Sequence, residues 1–125
     1  PSWTSASNPQ PSLGNGTILG KYMKFGKFIV VRILLTMGST TTYGTGTYSF
    51  SLPENAITGE GGNLGNAGIH NNSPSEEYVY FVDLATASTV NIFSAGLVAA
   101  GVGPTVPITF ATSDRIALRM MYEAA

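Results

Sequence analysis

The chain contains no cysteine among its 125 residues. It therefore has no disulfide framework, no thiolate metal ligand and no cysteine nucleophile. Charged residues are also scarce: they make up 10% of the chain, against about 25% in an ordinary soluble domain. The net charge of −1 argues against a nucleic-acid-binding protein, which neutralises phosphates with many cations. A surface that carries few charges tends to associate with other surfaces.

Long apolar segments are missing as well. No run reaches the roughly 20 apolar residues that a membrane-spanning helix needs, so insertion into a membrane is not expected. The amino-terminal segment does not have a basic region followed by an apolar core, which is the pattern of a secretory signal peptide. The length is that of one domain with room for a buried core.

The longest apolar run is Lys27 to Met37, KFIVVRILLTM. Its β-branched residues restrict χ1 and favour a strand, and glycines bound the run at Gly26 and Gly38. As a strand it would be apolar on both faces, with Arg32 as the one charge in its interior. A half-solvated antiparallel strand alternates apolar and polar residues instead. One face can therefore supply a core, and the other needs a cover of its own.

The second face of this strand would carry Phe28, Val30 and Leu34. A neighbouring subunit could cover it, and so could a loop of the same chain, and the residues leave both alternatives open. If a subunit covers this face, Phe28, Val30 and Leu34 are the residues expected to form the subunit interface.

The rest of the chain predicts short strands separated by turn signals, without a helix. Further strands are expected at Thr17 to Phe25, Thr47 to Leu52, Asn66 to His70, Glu77 to Leu84, Ser88 to Ser94, Val106 to Ala111 and Arg115 to Tyr122. Gly26 should turn the first of these into a hairpin with the central run. Pro107 should make its strand an edge strand or a bulge. About seven or eight such strands predict an all-β, antiparallel β-sandwich of the jelly-roll type.

Residues 1–16 contain three prolines and are expected to form an extended N-terminal arm without strand pairing of its own. The β-sandwich domain would then comprise residues 17–125. Trp3, the only tryptophan, would anchor the arm to the body or to a neighbour. Together with Pro9, Pro11 and Leu13, it forms the expected partner-binding segment, which should contact something other than the core of its own chain.

Few residues offer catalytic or metal-binding chemistry. His70 is the only histidine, whereas a tetrahedral metal site needs three or four ligands. A triad of His70 with Asp83 or Asp114 would lack the Gly-x-Ser-x-Gly nucleophile motif. Glu76 and Glu77 are adjacent, so on a strand they point to opposite faces and cannot act together on a glycoside. We therefore expect no catalytic residue, no metal and no cofactor.

Several short motifs share the spacing of a known family. They are Trp3-Thr4, Gly14 to Thr17, Gly20 to Lys27, Gly38 to Thr41, Phe50 to Pro53, Pro107 to Phe110, Asp114 and Tyr122 to Ala124. Together they resemble a jelly-roll domain of tailed bacteriophages. The resemblance covers both ends of the chain and little of residues 54–75. It implies a trimeric structural protein of the virion, found at the ends of tail fibres or, in similar jelly rolls, on the capsid. It brings no catalytic residues.

Two functions follow from this resemblance. The first is a capsid cement or decoration protein that sits as a homotrimer on the major capsid protein, and the length of the chain, without a fibre shaft, favours it. The second is a receptor-binding head that recognises a host-surface glycan. Its tip would be formed by the loops Glu54 to Gly65 and Gly96 to Thr105, with Asn63, Gly65 and Gly101 as receptor-contacting residues. A polysaccharide-degrading enzyme is the third possibility, and no acid–base pair supports it.

Overall fold

The computed structural model describes residues 1–59, 62–94 and 101–125. These residues contain eight β-strands and no helix, so none of them forms a helix that could span a membrane. The strands are β1 (Trp3–Ser7), β2 (Thr17–Phe25), β3 (Phe28–Thr36), β4 (Thr45–Ser51), β5 (Asn63–Asn71), β6 (Glu76–Thr86), β7 (Thr89–Phe93) and β8 (Arg115–Glu123). All the strand pairs are antiparallel, which confirms the predicted all-β, antiparallel class.

The strands form one continuous sheet in the order β1-β4-β7-β6-β5-β8-β3-β2. This sheet curls into a half-barrel, and its order does not confirm the two packed sheets of a jelly-roll sandwich. The predicted hairpin is confirmed, because β2 and β3 pair in register from Thr17 with Thr36 to Phe25 with Phe28. On its other side β3 pairs with β8 along its whole length, so the central run lies between two long strands.

The core lies inside the curl, and β3 supplies its first row. Ile29, Val31, Ile33 and Leu35 are all at most 3% exposed, and the residues between them face outwards. Other strands add further buried side chains, among them Tyr48, Phe50, Ile69, Val82, Val90, Ile92, Ile116, Leu118 and Met120. Each large apolar side chain stabilises the fold by roughly 1.5–3 kcal/mol when it is fully buried. This core is therefore built from alternate residues of nearly every strand.

The prediction of a strand at Val106 to Ala111 is wrong. This segment forms only an isolated bridge between Gly103 and Val106 and then folds around Asp114, whose carboxylate accepts a hydrogen bond from the amide of Ala111 at 2.8 Å. Prolines 104 and 107 lack amide donors, so the segment cannot continue a strand ladder. The buried carboxylate thus takes the place of a sheet partner for the Ala111 amide, while the amide of Phe110 donates to the carbonyl of Pro104.

The N-terminal segment is part of the sheet. Residues Trp3–Ser7 pair with β4, and Trp3 is 8% exposed within the core cluster. Its indole ring meets the ring of Tyr48 edge-on at 5.1 Å. The expectation that residues 1–16 lack strand pairing is therefore wrong for this stretch, and so is the expectation that Trp3 lies away from the core. The alternation of WTSAS places Trp3 and Ser5 on the inner face, which is what a half-buried strand requires.

The rest of this segment is held to the body by polar contacts. The side-chain amide of Gln10 donates to the carbonyl of Ser5 at 2.8 Å, while its oxygen accepts from the Ser5 amide at 2.9 Å. Further along, the side-chain oxygen of Asn15 accepts from the amide of Thr40 at 3.0 Å. Of the other residues expected to bind a partner, Pro9 is exposed, Pro11 is half-buried, and Leu13 packs against the core.

The burial of Trp3 predicts a large loss of stability when it is truncated. Trp3→Ala should lower the free energy of unfolding by about 3 kcal/mol or more, because it leaves a cavity beside Tyr48. Thr58→Ala, at an exposed position outside the sheet, is the control and should change it by less than about 0.5 kcal/mol. Guanidinium unfolding measures both. Equal stability of Trp3→Ala and the wild type would show that Trp3 is not part of the core.

The burial of the Tyr48 hydroxyl predicts that the protein loses stability at alkaline pH. Its hydroxyl donates to the carbonyl of Tyr43 at 2.7 Å, and burial raises the pKa of this phenol well above its ordinary value. The unfolded chain therefore loses the proton first as the pH rises past about 10, and stability falls from that pH upwards. Tyr48→Phe should cost about 1 kcal/mol at neutral pH but lose less stability on going to alkaline pH. An unchanged alkaline slope in urea titrations would contradict this.

Candidate interaction surface

The outer face of β2, β3 and β8 exposes many apolar side chains. We call this face the outer patch, and its apolar members are Leu19, Met23, Phe25, Phe28, Val30, Leu34 and Met121. Leu19 and Phe25 are each 60% exposed. The patch includes all three residues predicted for a subunit interface. No other residue in the described part of the chain covers them, so they are exposed to solvent. Contiguous apolar surface of this kind is typical of an interaction site.

A row of cations crosses the outer patch. Lys21 of β2 lies opposite Arg32 of β3, and Arg32 lies opposite Arg119 of β8. Residues directly opposite each other on one sheet face have Cβ atoms about 4.5–5.5 Å apart, and like charges in such positions repel. No carboxylate of the described residues lies within ion-pair distance of these three side chains. We call them the cation row, and its charge is uncompensated within the described part of the chain.

A groove runs along β5 beside the cation row. It has a volume of about 570 Å³, and Val30, Gly68, Val79, Arg119 and Met121 are among its lining residues. Gly68 lies opposite Val79 on one side and opposite Ala117 on the other. The small side chains along β5 and β8 leave a depression between larger apolar neighbours. The groove is therefore apolar, with Arg119 as its cation.

Gly68 has no reason within the fold to be glycine. A Cβ added at this position would meet no other atom within 4 Å. A Cβ at Gly65, three residues earlier, would collide with the backbone oxygen of Arg119. Glycine inside a strand weakens it, and it often marks a place where a ligand or another backbone approaches closely. Gly65 is thus explained by a close contact within the chain, whereas Gly68 opens towards the groove.

This contrast predicts opposite effects of the same substitution. Gly68→Ala should leave the free energy of unfolding unchanged or raise it by up to about 1 kcal/mol, because alanine loses less backbone entropy on folding. Gly65→Ala should lower the free energy, because β5 and β8 must move apart to accommodate the methyl group. Thermal unfolding of the two variants measures the difference. A destabilised Gly68→Ala would mean that glycine is needed there for folding.

β6 carries a ridge of opposite charge on the same face of the sheet. Val79 is 72% exposed and Phe81 is 38% exposed, and both point outwards. The alternation of the strand puts Glu77 and Asp83 on this face too. We call these four residues the acidic ridge. Its carboxylates and its protruding apolar side chains complement the cation row and the groove in both charge and shape.

His70 and Asp114, which the sequence offered for chemistry, have local partners. His70 Nδ1 lies 2.7 Å from a carboxylate oxygen of Glu77, its cross-strand neighbour, so His70 is not paired with either aspartate considered for a triad. Asp114 is buried, and its carboxylate accepts from the amides of Asn72 and Ala111. Among the residues that the structure describes, no three His, Asp or Glu side chains cluster as a metal site would require. These contacts stabilise strands and turns.

Two of the expected receptor residues do not lie in a loop. Asn63 and Gly65 belong to β5, where the side chain of Asn63 accepts a hydrogen bond from the Gly65 amide at 3.2 Å across an irregularity in the strand pairing. The prediction that the loop extends to Gly65 is therefore wrong. Gly101 forms a bridge with Phe93. The remainder of the two proposed receptor loops includes residues 60, 61 and 96–100, which lie outside the described residues.

Sequence reasoning identified only the β3 part of the outer patch. It did not identify Leu19, Met23 and Phe25 of β2, or Met121 of β8. Their signal was present in the strand LGKYMKF, which carries apolar residues on both faces, as β3 does. Lys21 and Arg119 could not be joined to Arg32 without the register of the three strands.

Comparisons of the chain with protein-family models, with curated proteins and with solved structures found no match. The outer patch is interpreted from its chemistry alone.

Proposed function

We propose that the chain is a non-enzymatic structural protein of a bacteriophage virion, which assembles as a trimer and decorates the capsid shell. The exposed outer patch carries this proposal. It supplies the apolar surface that an assembling subunit needs, and such surface is more apolar in permanent assemblies than in transient ones. The proposal includes the relationship to phage jelly-roll domains that the sequence motifs imply. The curled sheet and its internal core are compatible with that relationship.

The composition supports an assembly protein as well. Only 10% of the residues are charged, and five of the seven apolar side chains of the outer patch are more than half exposed. A free monomer with this surface would tend to aggregate. Burial of the patch against other subunits removes that liability. The major capsid protein is the proposed partner of the assembled protein, and the virion its location.

A receptor-binding head is the second candidate, and one observation favours it. An open groove of about 430 Å³ is lined by Gly44, Thr45, Thr47, Gly101 and Thr105, among others. Threonine hydroxyls and exposed backbone can bind the hydroxyl groups of a host glycan. This groove lies on a different part of the protein from the outer patch, so the two functions can be tested separately.

The oligomeric state tests the role of the outer patch. Sedimentation of the purified protein at micromolar concentration should give the mass of a trimer. Val30→Asp should shift the equilibrium to monomers by at least about tenfold, because it buries a charge in the interface. Thr58→Asp, at an exposed position outside the sheet, is the matched control and should remain trimeric. A monomeric wild type would contradict the proposed assembly.

Capsid binding tests the proposed location. Capsids that lack this protein are mixed with it and imaged by electron microscopy. Density at regular symmetry positions on the shell is expected, and Val30→Asp should leave the shells bare. Bare shells with the wild-type protein, together with binding to host cells that is lost in Thr47→Trp, would favour the receptor-binding candidate instead.

A further inference from the structure

We infer that neighbouring copies of this chain contact each other head to tail, with the acidic ridge of one copy seated in the groove and against the cation row of the next. This inference rests on the trimer of the proposed function and names the surfaces that form it. The occupant of the groove is thus a second copy of the chain.

Charge selects this arrangement over contact between identical patches. If two outer patches met with their cation rows against each other, Lys21, Arg32 and Arg119 of one copy would approach the same cations of the other. Like charges brought together in this way cost several kcal/mol. The acidic ridge instead brings carboxylates to the cation row, which has no ion-pair contact with a carboxylate of the described chain. They are Asp83 and Glu77, and Glu77 also lies 2.7 Å from His70 Nδ1 of its own chain.

Shape supports the same pairing. The side chain of Val79 protrudes with 72% of its surface exposed, whereas Gly68 offers no side chain at all and a Cβ there would touch nothing within 4 Å. A ridge from outside can therefore approach the backbone of β5 closely. This explains why a central strand keeps glycine at a position where its own fold tolerates a side chain.

One copy cannot satisfy both surfaces by itself. β5 lies between β6 and β8 in the sheet, and neighbouring strands are about 4.8 Å apart. The acidic ridge and Arg119 therefore point outwards side by side, and the curl of the sheet turns them away from each other. A two-fold pair could also join each ridge to the other copy's groove. In the proposed trimer, however, the contact between copies is heterologous, and a closed ring uses every ridge and every groove.

The free edge of β2 is a weaker candidate for the contact. It is nine residues long and could in principle pair with a strand of another copy. However, Lys21 and Lys24 lie on it, and lysines on an edge strand discourage such pairing. Antiparallel pairing of two β2 strands would also bring their lysines together. The face of the sheet, which offers complementary charges, is therefore the proposed contact.

Engineered cysteines test the contact directly, because the natural chain has none. Gly68→Cys and Val79→Cys are made as separate proteins and oxidised alone and as a mixture. We expect a disulfide-linked dimer mainly in the mixture, since position 68 of one copy faces position 79 of the next. Gly68→Cys mixed with Thr58→Cys is the control and should stay uncrosslinked. Crosslinking of Val79→Cys alone, to the same extent as the mixture, would overturn the inference.

A charge exchange provides the second measurement. Arg119→Glu should weaken association by at least about tenfold, and adding Asp83→Lys in the same chain should restore most of it. A trimeric wild type that gives neither the mixed crosslink nor this rescue would overturn the head-to-tail contact and leave the proposed trimer standing. A monomeric wild type would overturn the trimer itself.

Discussion

The alternation of β3 is the constraint on which the rest of the structure depends. Successive side chains of a strand point to opposite faces, so the burial of Ile29, Val31, Ile33 and Leu35 forces the residues between them outwards. Because β2 and β8 pair with β3 over its whole length, the same constraint orients their side chains. A slip of one residue would exchange the two faces. The core and the outer patch are thus two consequences of one register.

The N-terminal segment shows how the two ends of the sheet are brought together. β1 and β2 are the two edge strands of the sheet. Their edges nevertheless lie close together, because Pro1 is so near Gly20 of β2 that a Cβ at Gly20 would collide with it. A small cavity of about 180 Å³ lies at this junction, with Leu52 and Pro53 in its lining. Trp3, edge-on to Tyr48, covers the core beside it. The segment therefore acts as part of the curled sheet, and what it adds is burial of the core at one edge.

The outer patch combines features that are unfavourable in an isolated monomer. Exposed apolar side chains such as Phe25 and Met23 raise the tendency to associate, and the three cations of the cation row repel one another. Both features become favourable when an apolar surface with carboxylates covers them. The acidic ridge offers such a surface on the same chain, so the proposed self-association would account for the patch with no additional partner. The proposed assembly on a virion rests on the sequence motifs and on this surface together.

Local patterns in the sequence determined most of the strands, and the tertiary structure decided how they are combined. Period-two alternation and bounding glycines were sufficient to predict β2, β3 and the hairpin between them, and to single out Phe28, Val30 and Leu34, because these features depend only on neighbours in the chain. The pairing of Trp3–Ser7 with β4, the folding of residues 106–111 around Asp114, and the alignment of Lys21, Arg32 and Arg119 all join residues distant in sequence. No local pattern encodes such pairings, since they depend on which strands lie side by side in the folded sheet.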